Sequence, residues 1–253
     1  MNTNKNSYTF IYASVMVIIV AFLLAFVSSS LKPMQQKNVE LDKKKQVLAA
    51  LNIFPENNAA AEADYIKYVK ADQLLNADGT MKSETGGFAV ESSKIGEELP
   101  LYVCEVEGET KYIIPLFGAG LWNVIWGYIA LDDDKETIYG VYFSHAGETP
   151  GLGAEITNHE KFQKPFIGKK AVDAEGNVTI SVVKFGKVAD ASCEVDGISG
   201  GTITSVGVDN MLKDCLKHYN AFLTQSACAE GECAVACDSV QCVPATEIQV
   251  VNE

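Results

Sequence analysis

Three short stretches carry residue types and spacings that could do chemistry. Asp196–Ser205 reads DGISGGTITS and sets four hydroxyls (Ser199, Thr202, Thr204 and Ser205) around Gly200 and Gly201. Paired glycines let the backbone turn sharply and let a bulky group approach Thr202. Thr204 and Ser205 are good helix N-caps, and the first-turn N–H groups beyond them lack intrahelical partners, which suits a phosphate. By pattern alone the same residues also describe an ordinary capped helix after a glycine turn. His145–Glu155, HAGETPGLGAE, is too rich in glycine and proline for regular structure, so its backbone can edge a flat ring system. Pro115–Gly127, PLFGAGLWNVIWG, places Trp122 and Trp126 on one face of an alternating strand, where one could cover a cofactor and both pack in a core. No Ser/His/Asp triad, P-loop or G-x-G-x-x-G fingerprint appears.

The elements that must position these stretches follow from periodicity. Val206–Leu223 repeats apolar residues at helical spacing directly after the hydroxyl cluster. Leu101–Glu107, Lys111–Leu116, Val124–Asp132, Thr137–Ser144 and Asn177–Phe185 read as strands, with Gly108 in a hairpin turn. Gln35–Leu51, Ala59–Leu75 and the short Asn158–Phe166 read as helices; Pro55 stops the first, and Asn76–Gly79 is a turn ending the second. The pattern implies an α+β fold, a mainly antiparallel sheet with flanking helices, preceded by one transmembrane helix.

That transmembrane reading rests on Thr9–Leu31, which contains no charged residue. As a helix it spans roughly 34 Å, enough for a bilayer core of about 30 Å. It exceeds a signal-peptide h-region and is followed by no A-x-A site, so it reads as a retained anchor. After Lys45 the chain holds fourteen lysines against thirty-one acidic residues, a formal charge of −17. Phosphate repulsion at such a surface excludes a nucleic-acid partner. The sequence has no arginine, so a bound phosphate must rely on lysine, hydroxyls, backbone N–H groups or a covalent bond. Lysines crowding the C-terminal flank of the anchor would, by the positive-inside rule, hold the main domain in the cytoplasm, although large domains can override that rule. Cys104, Cys193 and Cys215 are scattered and read as small core residues. Cys228, Cys233, Cys237 and Cys242 are spaced unlike any zinc or ferredoxin site, so no metal is assigned; incidental thiols and disulfides both stay open.

The segment DGISGGTITS resembles the covalent-flavinylation motif of FMN-binding domains, in which the threonine ending S-G-A-T is esterified by the FMN phosphate. Such domains occur in the C subunit of the bacterial Na+-translocating NADH:quinone oxidoreductase and in the G subunit of the related RNF complex. PLFGAGLWNVIWGYIAL, SHAGETPGLGAEI and the N-terminal anchor also look like the C-subunit pattern, so the resemblance runs from the anchor to about Leu223. It implies covalent FMN on Thr202, with Ser199, Gly200, Gly201, Thr204 and Ser205 around the phosphate. Glu148, Thr149, Gly151, Leu152, Gly153 and Trp122 would lie beside the isoalloxazine ring. Asp196 matches the leading acid of the motif, which the flavin transferase would read, and Gly201 stands where alanine is usual.

The resemblance further implies a single-pass inner-membrane subunit that relays electrons from NADH towards quinone between partner subunits. Its partners would be the other subunits of the complex, the bilayer and, during maturation, the transferase. The family's soluble domain faces outside the inner membrane, against the local lysine count. The division expected is a tail at 1–8, the anchor at 9–31, a helical spacer at 32–95, the FMN-binding domain at 96–225 and a disordered Cys-rich tail at 226–253. The alternatives are the G subunit of an RNF-type complex and, from another class, a membrane-tethered binding module without cofactor.

Overall fold

The computed structural model describes residues 6–225, and the cysteine cluster at 228–242 lies outside them. The first element, α1, runs unbroken from Asn6 to Ala50 with Pro33 inside it. At 45 residues it is about 68 Å long. Anchor and following helix, read separately from the sequence, are thus one rod: Pro33 removes a single backbone N–H and leaves the rest of the ladder. Among the described residues α1 is the one helix long and apolar enough to cross a membrane. Its apolar run is exposed, whereas Val47 and Ala50, with Leu51 just after it, are buried against the sheet.

After α2 (Asn58–Tyr68) come β1 (Val69–Leu75), β2 (Met81–Ser83), β3 (Leu99–Val106), β4 (Glu109–Ala119), β5 (Val124–Leu131) and β6 (Ile138–His145). They form one sheet in the order β2-β1-β3-β4-β5-β6, each pair antiparallel. A two-stranded parallel ribbon joins β7 (Ser181–Val183) to β8 (Glu194–Asp196). The last described elements are α3 (Thr202–His218) and α4 (Asn220–Leu223). The α+β reading with an antiparallel sheet and flanking helices therefore holds.

Alternation explains how one sheet serves two cores. Tyr102, Ile113, Tyr128 and Ala130 face the end of α1, while their neighbours Leu101, Ile114 and Ile129 join Val208, Met211 and Leu212 of α3. The β3–β4 turn has two residues, Glu107 and Gly108, both at positive φ, the geometry that matches strand twist. Helix α3 lies very close to β4: a Cβ on Gly207 would stand 2.4 Å from the Ala119 carbonyl oxygen.

Several boundaries differ from the sequence reading. Only the first half of Ala59–Leu75 is helical; Val69–Leu75 pairs along β3, from Val69↔Cys104 to Leu75↔Leu99. Its lysine, alanine, glutamine and leucines favour helix locally, but pairing with a buried strand outweighs propensity. The segment 32–95 is therefore not wholly helical, since β1 and β2 belong to the same sheet as β3. Asn177–Phe185 contains only the short β7, and β8 has no strand-like pattern in the sequence. Residues 159–166 form one π turn followed by a 3-10 turn instead of an α-helix.

Candidate functional site

Helix α3 begins four residues earlier than the apolar period suggests. Gly201 is its N-cap and Thr202 its first residue, so Thr204 and Ser205 are not caps. Their hydroxyls are engaged elsewhere. Ser205 Oγ donates to the Gly201 carbonyl and accepts from the Ile198 N–H, both at 2.9 Å. Thr204 Oγ1 donates to Glu148 Oε2 at 2.7 Å. Both residues are buried, whereas Thr202 is exposed and its hydroxyl makes no hydrogen bond among the described residues. The N–H groups of the first helical turn, which begins at Thr202, face the same open end.

The turn before the helix explains its glycines. Gly201 N–H closes onto the Ile198 carbonyl at 3.0 Å, and Gly200 sits at φ +80°, a conformation glycine adopts without cost. Ser199 and Gly200 are exposed, and a Cβ on Gly200 would lie 2.8 Å from Leu152 Cδ2. The hydroxyl motif therefore abuts the loop after β6.

Glu148 organises that loop. Its carboxylate is buried, and Oε1 accepts from the Trp122 N–H at 2.9 Å and the Asn123 N–H at 3.4 Å, while Oε2 holds Thr204. Burial alone would raise this carboxyl, but the three donors outweigh it and hold the group below the usual glutamate range. Gly153 and Gly120 leave the space: a Cβ on Gly153 would come within 2.4 Å of Thr204 Oγ1, and one on Gly120 within 2.4 Å of Glu148 Oε1. Thr149 and Gly151 are exposed; the Thr149 carbonyl accepts from Leu152 and Ala154, and Gly151 takes positive φ. Residues 153–157 then coil into a 3-10 turn.

Trp122 and Trp126 do not share a strand face. The β4–β5 ladder ends at Ala119↔Val124, and Gly120 N–H bonds the Asn123 carbonyl, so Trp122 lies in the hairpin loop. Its side chain is 71% exposed beside exposed Leu121, whereas Trp126 lies in β5 and donates to Gln46 of α1. Ile203, Val206 and Leu152 add exposed apolar surface near the helix start. A cleft of about 50 Å³ beside Thr202 is also lined by Lys184 and Phe185, which sequence reasoning missed. The glycine of the run Lys184–Lys187 was their one available signal.

All the expected site residues thus converge at one end of the sheet. A hydroxyl and helix N–H groups that are exposed and unpartnered among the described residues, with flanking apolar side chains, fit a phosphate-bearing flavin. Elsewhere, burial pushes the Cys104 thiol up to about 12 and also raises Cys215, so neither is a ready thiolate.

Residues 120–217 match the FMN-binding domain family. The chain is 31% identical over 234 residues to the Na(+)-translocating NADH-quinone reductase C subunit of Haemophilus ducreyi, covering 84% of this chain and 90% of that one. It is 30% identical to the Pseudomonas aeruginosa protein of that name, covering 88% and 96%. A crystal structure of the C subunit from Parabacteroides distasonis superposes with a TM-score of 0.72 at 44% identity, over 78% of this chain and 98% of that one. The likeness spans the sheet and the site, and the chain belongs to the family of the Na(+)-translocating NADH-quinone reductase C subunit.

Proposed function

We propose that the chain is a membrane-anchored electron-carrier subunit of a Na+-translocating NADH:quinone reductase, with FMN bonded through its phosphate to Thr202 Oγ1. The observation that carries the site is the inequality of the motif's hydroxyls. Thr204 and Ser205 are buried and engaged, and Ser199 lies ahead of the helix. Thr202 alone is exposed, unpartnered among the described residues and set at the helix N-terminus. The family match over residues 120–217 supports FMN as the group held.

When bound, FMN supplies the electron-transfer chemistry. The chain's own residues do the rest. The first turn of α3 directs N–H groups and the positive end of its dipole towards a phosphate. Trp122, Leu152, Ile203 and Val206 present apolar surface for a ring. Glu148 ties the loop at 120–123 to α3, so the two sides of the site keep a fixed relation. Thr202 is a tether and exchanges no proton in turnover. A flavin transferase makes the bond, with the Thr202 hydroxyl losing its proton and its oxygen displacing the leaving group of an activated flavin donor at phosphorus. The anchor lies in the inner membrane, and the domain faces outward.

Peptide mapping by mass spectrometry of protein from its native host tests the site. We expect the FMN adduct on the peptide at Thr202, and colourless but folded protein from Thr202→Ala. An adduct on Ser199, Thr204 or Ser205, or no adduct, overturns the assignment.

A further inference from the structure

The cleft beside Thr202 has a second wall that the flavin motifs do not include. Strand β7 is fixed against α3 because Asp209 Oδ1 accepts from both Ser181 Oγ and the Val182 N–H, each at 2.9 Å. The chain then turns at Lys184–Lys187, with the Lys187 N–H bonded to the Lys184 carbonyl and Gly186 at φ +74°. Asp196 Oδ1 accepts from the Gly186 N–H at 2.7 Å. The leading acid of the hydroxyl motif thus clamps a turn that comes from elsewhere in the chain. Lys184 lines the same cleft as Thr202, Ser205 and Val206, and Lys187 does not.

A phosphodiester on Thr202 would carry one negative charge at the surface of a domain whose own charge is strongly negative. The helix terminus supplies only partial charge, and the chain has no arginine. Within 120–217, Lys164, Lys170 and Lys213 are paired with carboxylates, while Lys135 and Lys169 are bonded to backbone carbonyls. Lys161 and Lys217 line no part of the cleft. Lys184 is exposed, forms no ion pair among the described residues and does line it.

We propose that Lys184 is the counter-charge for the flavin phosphate, a positioning residue held in place by the Asp196–Gly186 bond. This rests on Thr202 as the attachment point. Being matched in charge but not in shape, the role is met by arginine as well as lysine.

The full chain is co-expressed with limiting flavin transferase, and the flavinylated fraction is read by intact mass. Lys184→Gln should lower that fraction by about two- to fivefold, as expected for an exposed charge pair, and Lys184→Arg should stay at the wild-type level. Circular dichroism confirms that both variants fold. In fully loaded protein the phosphodiester 31P resonance should shift between wild type and Lys184→Gln. Wild-type loading by Lys184→Gln overturns the proposal. A loading defect without a 31P shift also overturns it, because Lys184 would then serve the transferase. Flavin retained by Thr202→Ala would instead refute the attachment site itself.

Discussion

Glu148 and Thr204, 56 residues apart in sequence, meet through a 2.7 Å hydrogen bond from the threonine hydroxyl to the buried carboxylate. The same carboxylate accepts the Trp122 N–H, so one side chain joins the β4–β5 hairpin loop, the loop after β6 and the start of α3. Thr204→Val keeps the shape and removes the donor, and Glu148→Gln keeps the shape and replaces an acceptor with a donor. Each should destabilise the domain by about 1–3 kcal/mol, since a buried polar group loses its match. Thermal unfolding in detergent measures this, and the double variant should cost less than the sum of the singles. Strict additivity would mean that the two residues are uncoupled.

Acid should undo the same clamp. Glu148 is held below the usual glutamate range despite its burial, so its folded-state pKa is depressed. A depressed carboxylate contributes stability that is present above its unfolded value, about pH 4.3, and is lost as pH falls through the folded value. The gap in unfolding midpoint between wild type and Glu148→Gln should therefore narrow as pH is lowered from 6 to about 3. A gap that stays constant over that range contradicts the assignment.

Gly207→Ala tests the approach of α3 to the sheet. The added Cβ would stand 2.4 Å from the Ala119 carbonyl oxygen, where no flexible side chain can yield. Intrinsic helix propensity favours alanine by about 1 kcal/mol, yet overpacking of this kind costs about 1–3 kcal/mol. Net destabilisation is expected, with reduced flavin loading because Thr202 moves with the helix. A more stable variant would show that the contact relaxes freely.

The orientation across the membrane has a direct test. Protease added to intact spheroplasts should digest the acidic domain if it faces outward as proposed. Protection there, with digestion only in inverted vesicles, would follow the lysines flanking the anchor and reverse the placement.

Much of the molecule was legible from residues that act locally. A charge-free run of 23 residues at Thr9–Leu31 is long and apolar enough for a membrane-length helix, and it lies within α1. Leu101–Glu107, Val124–Asp132 and Thr137–Ser144 needed only their β-branched and aromatic content, and β3, β5 and β6 lie within a residue or two of those bounds. DGISGGTITS, PLFGAGLWNVIWGYIAL and SHAGETPGLGAEI, in that family's arrangement and behind the apolar N-terminal run, together carried enough specific residues for the resemblance to name the family without a fold.

Tertiary structure decided what no local pattern contains. Val69–Leu75 is composed for helix and becomes strand because β3 offers it a full ladder. The ranking of the motif's hydroxyls depends on Glu148 and Ile198 occupying Thr204 and Ser205, and only folding brings Glu148 to α3. Trp122 leaves the strand because the β4–β5 ladder stops at Ala119↔Val124. Residue type and period are written along the chain, whereas which donor meets which acceptor is settled by packing between distant segments. The residue types of the site were therefore readable in sequence, and its geometry was not.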